Sequence, residues 1–126
     1  MKVRKKVFAS ILAVLLLSVG SFASAGTTYE SYSVTVPKLN FSVKTDAQTK
    51  SSAGRAANLK VSTLGKAVDV RAYGKKGGTG NWVRVSTTGT YNLPNDISKG
   101  DSTRAHFSSD LTTIVNVSVK GKWRSN

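Results

Sequence analysis

Residues 74–85 read GKKGGTGNWVRV, four glycines and two lysines ahead of a tryptophan and alternating valines. Glycines beside lysines are the material of phosphate cradles, in which backbone amides surround the anion and a lysine reaches it. A Walker loop needs Gly, four residues, then Gly-Lys-Ser/Thr, and Gly74–Gly80 does not contain that order. A dinucleotide fingerprint must lead from a strand into a helix, whereas Trp82-Val83-Arg84-Val85 continues as a strand. The stretch is therefore expected to be a tight turn between two strands, with Lys75 and Lys76 at its exposed tip.

The other chemistry-bearing residues are sparse. His106 is the one histidine and there is no cysteine, so neither a multi-His or Cys-based metal site nor a Cys nucleophile can be assembled. No serine sits in a G-x-S-x-G elbow. His106 falls on the polar side of a predicted strand, where a surface or cross-strand role is expected. The six carboxylates are Glu30, Asp46, Asp69, Asp96, Asp101 and Asp110. Four of the aspartates lie in turn-like contexts, where Asp serves the backbone. Asp69 lies two residues from Arg71 on one strand face, which suggests an ion pair between them. Asn116-Val117-Ser118 matches a glycosylation sequon but falls within a predicted strand. These residues imply no enzyme, no cofactor and no metal.

What remains is positive charge. Arg71, Arg84, Arg104, Lys120, Lys122 and Arg124 occupy polar strand positions, and with Lys75 and Lys76 they are the candidates for contact with an anionic surface. Tyr73 and Trp82 lie near them as candidate stacking partners. Two alternatives stay open: dispersed solubilising charge for the basic residues, and cross-hairpin aromatic pairing for the rings.

The elements that must position these residues follow a period of two. Tyr32, Val34 and Val36 alternate with polar residues, as do Leu39, Phe41 and Val43. These read as two half-buried strands meeting at Pro37, an edge, a bulge or a strand switch. TDAQTKSSAGR, residues 45–55, reads as a loop with room for a short helical turn. Strands resume at Leu59, Val61 and Thr63, then at Val68, Val70 and Ala72, around a turn at Leu64-Gly65-Lys66. Val83 and Val85 face a core, with Trp82, Arg84 and Ser86 opposite. Residues 87–101 read as a long loop pinned by Ile97. Thr103, Ala105 and Phe107 oppose Arg104 and His106. Val115, Val117 and Val119 then lead through Gly121 to Trp123, whose ring is expected to close one end of the core. Seven or eight short strands with turns every ten residues or so predict an all-β fold: an antiparallel β-sandwich, Ig-like or jelly-roll-like, or a small barrel.

The chain opens MKVRKK, continues through an apolar run of 13 residues from Val7 to Val19, and reaches Ala23-Ser24-Ala25 before a polar stretch. That is the layout of a secretory signal peptide, too short in its apolar part to span a bilayer. Residues 1–25 are expected to be removed, leaving residues 26–126 as one secreted domain. Loss of Lys2, Arg4, Lys5 and Lys6 leaves 15 basic residues against 6 acids, a net charge of +9. Export argues against nucleic acid as the physiological partner despite the basic balance.

VTVPKLNFSVKTDAQTK, GTYNLPNDISKG and VNVSVKGKWRSN together resemble a loose group of small exported β-rich proteins of Gram-positive bacteria, some of them bacteriocin-like. The resemblance implies export, a β-sandwich and no known reaction, and it carries no functional residues across. Export and charge together lead to the expectation of a secreted, non-enzymatic cationic protein that binds an anionic cell-wall polymer or membrane surface, with a bacteriocin-like effector role. The alternative is a small structural or protein-binding exoprotein that self-associates or recruits a partner through its sheet edges.

Overall fold

A computed structural model describes residues 24–126 of the chain. The segment expected to be a signal peptide lies outside these residues, except for its last two. Among the described residues there is no helix, and ten strands form two stacked sheets. They are β1 Ser24–Ala25, β2 Glu30–Val36, β3 Ser42–Lys44, β4 Gln48–Thr49, β5 Ala57–Leu64, β6 Val68–Gly74, β7 Val83–Val85, β8 Gly89–Leu93, β9 Ser102–Ser108 and β10 Val117–Arg124. Sheet A runs β1-β4-β9-β6-β7, with β3 pairing the same edge of β9 beyond β4; sheet B runs β2-β10-β5-β8. All pairings are antiparallel except the short β1–β4 pair. The fold is thus the expected all-β sandwich.

Alternation explains why these segments pair as they do. Val68, Val70 and Ala72 of β6, Ala105 and Phe107 of β9, Leu59 and Val61 of β5, and Val117, Val119 and Trp123 of β10 all point between the sheets and are buried. Fully burying each of the valine, leucine and phenylalanine side chains contributes about 1.5–3 kcal/mol, which makes this interior the main source of stability in a chain without disulfides. Trp123 does close one end of the core, as its place in line with the valines predicted. Ile97 is fully buried and holds its loop against the core. The chain does switch sheets around Pro37, from β2 in sheet B to β3 in sheet A.

Several expectations are corrected. Leu39 and Phe41 are not in a half-buried strand: both are exposed, and Leu39 and Asn40 take left-handed φ values of 61° and 66° in a turn. Val115 is likewise exposed, because β10 begins only at Val117. The long loop read over residues 87–101 contains β8, an edge strand paired with β5 along its whole length. Residues 45–55 contain β4 rather than a helical turn, and three of their side chains, those of Thr45, Gln48 and Lys50, are buried. The Gln48 amide donates to the Trp123 carbonyl at 2.9 Å and accepts from the Ser125 amide at 2.8 Å, extending sheet-like bonding across the end of the core. Lys50 is fully buried, with its ammonium on the carbonyls of Arg55 and Ser125.

The glycine-rich segment is the expected turn between β6 and β7. Its glycines serve close packing. A side chain on Gly80 would meet the Pro94 carbonyl oxygen, and one on Gly78, at φ 75°, would meet the Asp96 backbone. The Asp96 amide donates to the Gly78 carbonyl at 2.8 Å, so the space a phosphate would need is filled by the 94–97 loop.

Candidate functional site

The outer face of sheet A gathers the chemistry-bearing side chains. Register places Arg71 of β6 opposite His106 of β9, Tyr73 opposite Arg104, and Lys44 of β3 opposite His106 on its other side. Because alternate residues share a face, all five point outward together. Trp82, just ahead of β7, folds over this row: its ring centroid lies 5.0 Å from that of His106, and the Arg71 guanidinium stacks on it at 4.2 Å. The Lys44 ammonium sits 4.5 Å from the centre of the Tyr73 ring, which meets His106 edge-on at 5.8 Å. Lys44, Tyr73, Lys75, Ser102 and Arg104 line an open cleft of about 390 Å³.

His106 is buried rather than a surface residue. Its Nδ1 accepts a bond from Arg71 Nε at 3.0 Å, so the neutral ring carries its proton on Nε2. That Nε2 is buried and has no partner among the described residues. Burial, reinforced by the charges of Arg71 and Lys44, holds the imidazole pKa down to about 4. Between pH 4 and the ordinary value of 6.5 the unfolded chain therefore binds a proton that the fold refuses. Stability is expected to fall as pH drops from 6.5 to 4, and chemical denaturation of wild type and His106→Gln at about pH 4.5 and 7 checks this. The variant should lose less stability on acidification than wild type.

The expected Asp69–Arg71 pair does not form, because Arg71 is committed to His106 and Trp82. Asp69 instead lies 3.6 Å from Arg84, its partner across β6 and β7. Arg84 also grips Asp110 with two bonds of 2.5 and 2.8 Å, which holds the Asp110 carboxyl below its usual range. These are the only ion pairs among the described residues. Arg84 is therefore answered by carboxylates, while Lys44, Arg71, Lys75 and Arg104 have none. Lys76 is exposed beyond the cleft, its backbone amide held by Asp101.

Lys120, Lys122 and Arg124 lie on the opposite side of the molecule, on the outer face of sheet B. There Lys122 stands directly across from Lys60, a like-charge pair that disfavours the sheet unless an anion answers it. Lys60 and Arg124 both stack on Tyr29, at 4.3 and 4.5 Å from the ring centre. The candidate residues thus divide between two faces. Sequence reasoning passed over Lys44 and placed His106 on the polar face in a surface or cross-strand role, of which the cross-strand one holds; only register brings both to Arg71.

The chain is a two-sheet β-sandwich whose outer faces hold basic side chains stacked on aromatic rings. It matches no protein-family model, no characterised protein and no solved structure.

Proposed function

We propose that the protein is a secreted, non-enzymatic module that binds an anionic polymer of a bacterial cell envelope on the outer face of sheet A. The observation that carries this reading is the clustering of Lys44, Arg71, Lys75 and Arg104 around Tyr73 and Trp82, without a carboxylate partner among the described residues. A surface that gathers cations and answers none of them attracts phosphate- or carboxylate-bearing chains. The aromatic rings add flat surfaces on which sugar units stack. Arg71 keeps its terminal guanidinium nitrogens for a ligand, since only Nε is bonded to His106. The cationic face of sheet B offers the same chemistry on the far side.

The test is binding of the purified protein to Gram-positive cells and to isolated anionic wall polymer across a salt series, with viability counted in the same tubes. Affinity is expected to fall as salt rises. Each exposed charge contributes about 0.2–1 kcal/mol, so Lys44→Ala/Arg71→Ala/Arg104→Ala together should weaken binding about tenfold. Binding that ignores salt, or that the triple variant retains in full, rejects the reading. Loss of viability would add the bacteriocin-like role.

A further inference from the structure

Six large apolar side chains are exposed among the described residues, and five of them, Leu39, Phe41, Leu111, Ile114 and Val115, fall in two neighbouring loops. Antiparallel pairing brings the loops 37–41, 65–67, 86–88 and 109–116 to the same end of the sandwich. Phe41, Leu111 and Ile114 are 66%, 73% and 74% exposed there. Isolated apolar residues on a surface are ordinary, but a contiguous cluster at a tip marks a place of contact.

The two loops brace each other. Leu39 N donates to Thr113 O at 2.8 Å, Asn40 N to Asp110 O at 3.0 Å and Ser109 N to Phe41 O at 3.2 Å. Lys38 N donates to the Asn116 side chain, Ser109 Oγ to Pro37 O, and Thr113 N to Asp110 O. The backbone amides of Lys38, Leu39, Asn40, Ser109 and Thr113 are thus met inside the protein, which fixes the two loops against each other. Leu39 sits at φ 61°, where a leucine is strained and glycine or asparagine is not. In this turn its side chain keeps 46% of its surface exposed.

Charge selects the occupant. The only acid in these four loops is Asp110, and Arg84 already answers it. Lys38 and Lys66 are left as the charges of the tip, both exposed. A second copy meeting it tip to tip would set these lysines against each other, and two short loops are fewer than the roughly 20–30 residues a side of a standard protein interface. An anionic lipid surface suits both features: apolar side chains enter the boundary between headgroups and acyl chains while lysines stay among the phosphates.

We propose that this tip docks on an anionic lipid bilayer, inserting Phe41, Leu111 and Ile114 with Lys38 and Lys66 against the headgroups. It uses other residues and another ligand than the polymer face, so either proposal can fail alone.

Co-sedimentation of the purified protein with vesicles of phosphatidylglycerol and phosphatidylcholine, and of phosphatidylcholine alone, tests it. Binding is expected on the anionic vesicles and about tenfold or more weaker for Phe41→Ser/Ile114→Ser, whose melting temperature and binding to wall polymer should be unchanged. As a second readout, the new indole of Ile114→Trp should be quenched by brominated acyl chains while the emission of Trp82 and Trp123 in the unaltered protein is not. Three results overturn the proposal: wild type that ignores anionic vesicles, a serine variant that binds them equally well, or fluorescence of the introduced indole that the brominated lipid leaves untouched. Dimerisation abolished by the serine pair would also overturn it, since a second copy would then cover the tip.

Discussion

Gly121→Ala is expected to cost about 3–5 kcal/mol, combining overpacking with the loss of a buried hydrogen bond. Gly121 stands opposite Tyr32 across β2 and β10, and the Tyr32 hydroxyl reaches over it to the Lys60 carbonyl of β5 at 2.9 Å. A Cβ there would run into that carbonyl oxygen and lie 2.9 Å from the hydroxyl. The methyl group would therefore displace both partners of the bond that ties three strands together. The register of β10 against β5 also shifts between Lys120 and Gly121, so the glycine sits where the ladder is already irregular. Thermal melting measures the effect: a loss of this size lowers the midpoint by about 15–30 °C in a domain of this length. Tyr32→Phe removes the bond alone and should cost about 1–2 kcal/mol. In the Gly121→Ala background the same change should cost almost nothing. A midpoint within a few degrees of wild type for Gly121→Ala would show that the strands of sheet B shift apart easily there.

The second large effect concerns Lys50. Its ammonium holds the carbonyls of Arg55 and Ser125, the latter at 2.7 Å. The Arg55 carbonyl also accepts from Asn95, whereas the Ser125 carbonyl has no second partner among the described residues. Lys50→Ala leaves that acceptor stranded and empties the space of the aliphatic stem, with an expected loss of about 3 kcal/mol. Burial first, and then the charge of Arg55, lower the Lys50 pKa from 10.5 to about 8. Between these values the unfolded chain holds the proton and the fold does not, so stability rises as pH climbs from 8 towards 10.5; below 8 the ammonium is charged in both states and the dependence ends. Tyr32 limits the rise. Burial raises its pKa above the ordinary 10.0, so the unfolded chain gives up that proton first and stability declines above pH 10. Denaturant unfolding at about pH 7.5, 9 and 10 should show wild type gaining stability and Lys50→Ala nearly flat.

Alternation alone placed the buried faces of β2, β5, β6, β9 and β10, because each has apolar residues at every second position and one face in the core. The same signal misled at Leu39 and Phe41. Their alternation continues that of β2, but the chain turns after Pro37, and the bonds that fix the turn come from residues 109–116, 69 to 78 positions away. β8 was missed for the opposite reason. In Gly89-Thr90-Tyr91-Asn92-Leu93 only Leu93 is fully buried, so an edge strand carries turn-like residues and its pairing with β5 supplies what its pattern lacks. The basic residues of the candidate face were legible as outward-facing, but not their grouping. Asp69 could not be assigned to Arg84 rather than Arg71, nor Lys44 and Arg71 to the two sides of His106, before register was known.

The place of β10 bears on when the molecule can fold. It runs from Val117 to Arg124, yet it occupies the middle of sheet B, between β2 and β5. Glu30 must find Trp123 and Val36 must find Val117, contacts that close loops spanning most of the domain. Such long-range pairing puts folding on the slow side, about milliseconds to seconds. Until residue 124 has been synthesised, β2 and β5 have no strand to join them, so a nascent chain can assemble local hairpins but not sheet B. Cooperative folding of this sandwich is thus tied to the synthesis of β10 rather than to the emergence of the strands before it.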